Sequence, residues 1–480
     1  MTYKQLLQGI EYTGTAPDGE AVLITQDTRK VVPGAVFVCV QGRSFDGHAL
    51  AQKALESGAG LVVAQKPLGT GQEIVVKDTR AAYGLLCQAF FGNPAQKLTL
   101  VAVTGTNGKT TVSTVLKQLL SACGLRCGLI GTVGSEIGDM KIPARFTTPE
   151  AWDMAALLSR MHAAGCTHVV LEASSQALAQ QRLYGIHFAL GVFTNLTRDH
   201  LDYHGTMESY YEAKKSLFNS CAAALINVDD EWGQRLQTEL PAGIHAATYS
   251  AKDVTATHTA KDIHLSAAGV KFSWQSPDIK ENICFPMPGD YSVQNALAVA
   301  AAASMLGISS QKVAEHLKDV PGVAGRCQIL CSKPYTIVCD FAHTGDAIEK
   351  LLAALRPFVE GRMIVLFGCA GERDPEKRAP MSASAAKYGD MVFLTSDNPR
   401  KEELETIMQD ALPALKASGK PYKVVEDRRE AVLLALNELR DKDMLVLCGK
   451  GHEDYQVMNG YTLYVSEAQI VQNWIKNHNL

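Results

Sequence analysis

Short apolar runs rich in β-branched residues recur along the chain, and stretches of helical length separate them. Residues 98–103, 167–171, 189–193 and 224–228 form one series, and residues 335–340, 363–368, 391–395 and 443–448 form a second. Continuous apolar runs of this length read as strands buried on both faces, and their alternation with helices predicts mostly parallel, doubly wound sheets of the α/β class. Two interruptions divide the pattern. Phe90-Phe-Gly-Asn-Pro94 ends a helix-like segment, and Pro321-Gly322 marks a hinge before the second series. The expected organisation is a small α/β domain at 1–96, a central, mostly parallel sheet domain at 97–324, and a doubly wound, Rossmann-like domain at 325–480.

Composition narrows the class. A chain of 480 residues exceeds what one core usually supports, and 46% hydrophobic with 20% charged residues is ordinary for a globular protein. A net charge of -4 provides no basic field for a polyanion, so nucleic acid is not an expected partner. The first ten residues lack a secretory pattern and the apolar run 296–306 is too short to cross a bilayer, so a cytoplasmic chain without a membrane span is expected. Twelve cysteines are scattered without a Cys-x-x-Cys pair, which predicts buried, reduced thiols; Cys327 and Cys331 lack the second pair that a structural metal site would need.

The candidate chemistry lies where strands end. Thr104-Gly-Thr-Asn-Gly-Lys-Thr-Thr111 follows one predicted strand and opens a predicted helix. The backbone N–H groups of Gly105, Thr106, Asn107, Gly108 and Thr111 can cradle phosphates there, Lys109 can reach the terminal ones, and Thr110 is placed for Mg2+. Val103 stands where the general P-loop pattern has its first glycine, so the loop is a variant. In the second series four strands end in polar clusters: Asp340-Phe-Ala-His343, Gly371-Glu-Arg-Asp374, Asp397-Asn-Pro-Arg400 and Gly449-Lys-Gly-His-Glu453. Open α/β sheets bind ligands at that edge.

The variant loop resembles the ATP loop of the Mur ligases and of the similar folylpolyglutamate synthetases. The resemblance extends through Leu171-Glu-Ala-Ser-Ser175, the segment from Thr194 to Gly205, Glu212-Ala-Lys214, Gly289-Asp-Tyr-Ser-Val-Gln-Asn295 and the later clusters, and so covers the chain. In the first block, Asp27-Thr-Arg29 and Gln41-Gly-Arg-Ser-Phe-Asp46 resemble the uridine-binding domain of the diaminopimelate- and lysine-adding members. The resemblance implies an ATP- and Mg2+-dependent ligase that phosphorylates a carboxylate and lets an amine displace the phosphate. Two anions must meet in such a reaction, so cations have to neutralise both.

By the same resemblance Thr110, Glu172, His200 and a carbamylated Lys214 stand near metal, and Lys109, Lys214, His200 and Glu172 act in catalysis. His200 and His204 with Asp199 and Asp202 could alternatively form a zinc site. Asn295, Arg326 and Asp340 match nucleotide-contacting positions, which implies ATP between the second and third domains and closure during catalysis. Gln26, Thr28, Arg43, Ser44, Phe45, Thr147, Thr148, Ser174, Gln180 and Arg182 match positions for a UDP-N-acetylmuramoyl dipeptide, with Phe146 and Gly345 standing where the family usually has Asn and Pro.

Asp397, Asn398, Pro399 and Arg400 resemble the pattern of diaminopimelate-adding members, and Arg373, Gly449 and Glu453 match the rest of that pocket. A fixed guanidinium suits the second carboxylate that diaminopimelate has and lysine lacks, and Glu453 suits the distal ammonium. A lysine-adding or folate-type relative and a P-loop switch are the other readings; the switch accounts for neither the Asp-Asn-Pro-Arg cluster nor the first block. The expected partners are the muramoyl dipeptide and meso-diaminopimelate, bound by a monomeric chain.

Overall fold

A computed structural model describes residues 1–42, 45–266 and 268–478. The chain forms two compact units, residues 1–258 with 298–308 and residues 259–297 with 309–480.

The first unit begins with a parallel sheet of Ile24–Thr25, Ala35–Val38, Ala59–Ala64 and Glu73–Val75. Because side chains alternate along a strand, Val36, Val38, Leu61 and Val63 face a core shared with helix Thr79–Phe90. Phe37, Val62 and Ala64 face the other side, with Ala51 and Ala54 of helix Ala51–Glu56. Asp78 caps the longer helix, accepting from Arg80 N at 2.8 Å and Ala81 N at 3.1 Å. The predicted break follows: Gly92 and Asn93 both adopt positive φ, at 75° and 52°, ahead of Pro94.

The unit's larger sheet runs Met140–Ile142, Gly134–Ile137, Cys127–Gly131, His168–Glu172, Thr99–Thr104, Phe188–Phe193, Cys221–Asn227, His245–Ser250. From Cys127–Gly131 onward in that order all neighbours are parallel. Each predicted strand of the first series is present, its ends displaced by at most three residues. Leu100, Ala102, Val169, Leu171 and Ile226 lie in one core, while Val101, Val103, Val170 and Leu225 are fully buried at the alternate positions. This two-sided burial is why the runs read as continuous rather than alternating.

The second unit contains an antiparallel meander, Gly269–Ser276 with Ile279–Phe285 and the preceding strand His258–Ser266, and a six-stranded sheet. The latter runs Gln328–Cys331, Thr336–Asp340, Met444–Cys448, Met363–Cys369, Met391–Ser396, Tyr422–Val424, parallel except for its first strand. Val338, Val365, Val392 and Val446 face helices Gly345–Leu355, Arg378–Tyr388 and Leu404–Ser418. Ile337, Ile364, Phe393 and Leu445 face helices Arg428–Asn437 and Glu467–Asn477. The sheet is therefore doubly wound, as the pattern predicts.

All but the last residue of the apolar run 296–306 falls within helix Tyr291–Met305, and every residue from Ala296 to Ala303 is fully buried. Among the described residues no helix is long and apolar enough to cross a membrane. All twelve cysteines are free, and burial pushes Cys39, Cys127 and Cys369 up to about 12.

Candidate functional site

The phosphate loop leaves strand Thr99–Thr104 and enters helix Lys109–Ala122, so the helix N-terminus points into the loop. Gly105 (φ 147°) and Gly108 (φ 86°) hold backbone conformations that suit glycine, and a Cβ at Gly105 would collide with the Thr194 hydroxyl. Residues 194–197 brace the loop from the neighbouring strand. Thr194 donates to Asn107 O at 2.6 Å, Asn195 Oδ1 accepts from Asn107 N at 2.9 Å, and Thr197 N donates to Thr106 Oγ1 at 3.0 Å. Lys109 Nζ folds back onto Gly105 O and Thr106 O, at 2.8 and 2.9 Å.

Glu172 ends strand His168–Glu172 and is 1% exposed. Its carboxylate accepts from Thr110 Oγ1 at 3.0 Å, Thr132 N at 2.8 Å and Thr132 Oγ1 at 3.0 Å. Thr132, absent from the sequence reading, follows strand Cys127–Gly131; its place at a strand end is the signal that could have found it. A hydroxyl beside one carboxylate is a hard-oxygen set. It fits Mg2+, which binds through one or two carboxylates plus substrate phosphates rather than an all-protein cage.

Lys214 lies on helix Met207–Lys215, 1% exposed, with Nζ 2.6 Å from Gly105 O. Burial drives its pKa well below the usual lysine range; nearby Lys109 adds to this and Asp199 opposes it. Its neighbour Lys215 instead pairs with Glu212 at 3.0 Å and Glu239 at 2.8 Å. Tyr210 gathers the cluster: its hydroxyl is 3.1 Å from Thr106 Oγ1, and Lys214 Nζ lies 4.5 Å from its ring centroid.

Only one of the two histidines read as a possible zinc pair lies within the helix. His200 precedes helix Leu201–His204 with φ 53° and its ring stands near Asp199, whereas His204 Nε2 is 2.9 Å from Ser175 Oγ. Among the described residues no group of three His, Cys, Asp or Glu could hold a metal ion by itself.

The candidate muropeptide residues join this centre. Thr148 Oγ1 donates to Glu172 O at 2.7 Å and Ser174 N donates to Thr148 Oγ1 at 3.0 Å. Thr147 Oγ1 is 3.1 Å from Thr132 Oγ1. Arg182 donates to Gln180 Oε1 at 2.7 Å and to Thr148 O at 2.9 Å, and pairs with Glu150 at 2.9 Å. Glu150 also receives Gln26 at 3.4 Å, a bridging role that sequence reasoning missed. Phe146 lies under the Arg182 guanidinium, 4.9 Å from carbon to ring centroid. Thr28 opens a short 3-10 helix behind its Asp27 cap, and Phe45 is exposed; Arg43 and Ser44 lie outside the described residues.

In the second unit Asp340 ends its strand and accepts from Cys327 N at 2.6 Å and Ala342 N at 2.7 Å. Burial raises its pKa, while Arg326 and these N–H groups oppose the rise. Asn295 sits on helix Tyr291–Met305, whose Tyr291 is buried against Cys327 and Asp340. Gly345 starts helix Gly345–Leu355 after its Thr344 cap, where a Cβ would come within 2.8 Å of Pro380 Cβ.

The four predicted clusters converge at the carboxyl edge of this sheet. Arg400 (φ 56°) donates Nη1 to Gly371 O at 2.6 Å and its N to Val457 O at 3.0 Å. Gly371 N donates to Asn398 O at 2.9 Å, which ties the loop carrying Arg373 to Asp397-Asn-Pro-Arg400. Glu453 lies beside Asn398, with Nδ2 to Oε2 at 3.4 Å. Gly449 (φ 111°) would place a Cβ 3.1 Å from Asp397 Oδ2. Beneath them Arg428, 0% exposed at its side chain, pairs with equally buried Glu467 at 2.8 Å. Its other N–H groups bond Ser396 O at 2.9 Å and Cys448 O at 2.8 Å, pinning two strand ends.

Known proteins match this arrangement throughout. Residues 21–89 match the Mur ligase family catalytic domain, 103–303 the Mur ligase middle domain and 325–451 the Mur ligase glutamate ligase domain. The chain is 38% identical, over 99% of both chains, to UDP-N-acetylmuramoyl-L-alanyl-D-glutamate--2,6-diaminopimelate ligase 1 of Clostridium acetobutylicum. It is 39% identical, over 98% of both, to the protein of that name without the numeral from Caldanaerobacter subterraneus subsp. tengcongensis. A solved structure of a UDP-N-acetylmuramoyl-L-alanyl-D-glutamate--2,6-diaminopimelate ligase superposes with a TM-score of 0.74 at 33% identity, covering 100% of this chain and 99% of that one. With full-length relatives above 30% identity and family domains spanning both units, the chain belongs to the Mur ligase family.

Proposed function

We propose that this protein is the ATP-dependent ligase that joins meso-diaminopimelate to the D-glutamate of UDP-N-acetylmuramoyl-L-alanyl-D-glutamate, a step in making peptidoglycan precursors. Arg400 carries this reading. Its guanidinium is anchored on Gly371 O at 2.6 Å, and Asn398 of the same loop reaches the carboxylate of Glu453 at 3.4 Å. An amino acid whose far carbon bears both a carboxylate and an ammonium matches that pair of charges. L-lysine has no second carboxylate, and a guanidinium left without its partner disfavours binding by ~1–3 kcal/mol.

The substrate carboxylate attacks the γ-phosphorus of ATP, releasing ADP and giving an acyl phosphate. The diaminopimelate amine then adds to the carbonyl, and the tetrahedral intermediate collapses to amide and inorganic phosphate. Loop residues 105–111 hold the phosphates, with Lys109 swinging from its own loop carbonyls toward the transferred group. Thr110 and Glu172 hold Mg2+, with His200 as a second-metal neighbour; the ion neutralises phosphate charge when bound.

Lys214 is carbamylated: its buried position favours the neutral amine that reacts with CO2, and the product keeps one N–H for Gly105 O. Its new carboxylate would sit within reach of the Lys109 charge that already acts on Lys214. Asn295, Arg326 and Asp340 serve the nucleotide; Gln26, Thr28, Phe45, Thr147, Thr148, Ser174, Gln180 and Arg182 serve the muramoyl dipeptide; Arg373, Asp397 to Arg400, Gly449 and Glu453 serve the amino acid. The functional divisions are 1–96, 97–324 and 325–480, and each matched family segment falls within one of them.

Phosphate release by the purified protein tests this. Release should require ATP, the UDP-muramoyl dipeptide and meso-diaminopimelate together, with a UDP-tripeptide in the mass spectrum. Amine-independent release would instead identify a hydrolytic switch.

A further inference from the structure

Lys450 is the one member of the Gly449-Lys-Gly-His-Glu453 cluster whose side chain is completely buried, yet neither the reaction above nor the resemblance gives it a part. Glycines with positive φ flank it, Gly449 at 111° and Gly451 at 53°, and the turn they form carries the side chain inward. Its Nζ donates to Glu453 Oε2 at 2.8 Å and to Asn398 Oδ1 at 3.1 Å, and lies 3.6 Å from Asp397 Oδ1. Three acceptors thus surround an ammonium with three N–H groups. All three belong to residues that the proposed function places at the amino acid. Asn398 Oδ1 also takes Val457 N at 2.8 Å, so two donors fix the orientation of the amide and turn its NH2 toward Glu453.

Charge explains why a lysine belongs there. Asp397, 5% exposed, and Glu453 both turn a carboxylate oxygen toward the Lys450 ammonium, at 3.6 and 2.8 Å, so the lysine is the charge the two acids share. One internal ammonium between them leaves a single net negative charge, which a single incoming ammonium balances. With no internal cation, the two carboxylates and the Asn398 carbonyl would lose their common donor and the receiving geometry would relax.

We propose that Lys450 is a positioning residue for amino-acid selection: its buried ammonium holds Asp397, Asn398 and Glu453 together as one acceptor site for the distal ammonium of the incoming diamino acid. This rests on the diaminopimelate-adding reading. Steady-state kinetics of K450M in the full-length protein tests it, with all three substrates varied in turn and folding checked by thermal denaturation.

The KM for meso-diaminopimelate should rise about tenfold or more, the scale of a lost partner to a buried charge. The KM values for ATP and the UDP-dipeptide should stay within about twofold. Adding K450M to E453Q should cost less than K450M alone, because the lysine acts through that carboxylate. K450Q carries the same expectations if K450M does not fold. A folded variant with an unchanged KM for meso-diaminopimelate, or with all three KM values raised together, overturns the proposal. Wild-type protein that makes no UDP-tripeptide overturns the underlying reading instead.

Discussion

Adjacent lysines on one helix have opposite fates here, and the difference is phase. Consecutive helical residues point about 100° apart, so when Lys214 turns into the phosphate loop, Lys215 stays with Glu212 and Glu239 at the surface. The sequence motif singles out Lys214 of the pair, but its burial against Gly105 O depends on how the helix docks. Thr132 and Lys450 were harder to see: each sits at a strand end, but only the fold reveals which carboxylate it serves. If Lys214 works as a carbamate, turnover in CO2-depleted buffer should fall and recover when bicarbonate is added. Lys214→Ala should lose ~100-fold or more in kcat, as when a preorganised electrostatic group is removed, and show no bicarbonate response. A wild-type rate indifferent to CO2 would rule the carbamate out.

At the level of elements, the strands were legible because two-sided burial writes continuous apolar runs, and the doubly wound order followed from the helices between them. The strands at the margins were not. Ile24–Thr25 and Tyr422–Val424 are two and three residues long, too short for any periodicity to register. What joins the elements of the proposed amino-acid pocket is also invisible in sequence, since Arg428 and Glu467 are separated by 39 positions. Arg428 ties helix Arg428–Asn437 to the ends of Met391–Ser396 and Met444–Cys448. Removing one partner leaves the other charge buried alone. Glu467→Gln should therefore lower stability by about 3–5 kcal/mol in denaturant titration. A change below about 1 kcal/mol would show that the pair does not organise this edge.

For the whole molecule, acid stability has a traceable contributor in His258, buried at 6% exposure, where burial lowers the pKa from 6.5 to about 4. The native state then binds fewer protons than the unfolded chain between those values. The stability from His258 is fully present above pH 6.5 and is lost as pH falls toward 4, by up to about 3 kcal/mol. His258→Gln should flatten the measured pH dependence of unfolding in that window; an unchanged profile would assign the slope to other groups. At this scale a parallel-sheet scaffold presents a phosphate loop in one unit and, by the proposed function, a charge-matched diamino-acid pocket in the other. Product mass after incubation with ATP, the UDP-muramoyl dipeptide and equal meso-diaminopimelate and L-lysine reads that pocket directly. The diaminopimelate-bearing UDP-tripeptide should dominate with the wild type, and Arg400→Met should erode the preference. A predominantly lysine-bearing product from the wild type would contradict the role given to Arg400.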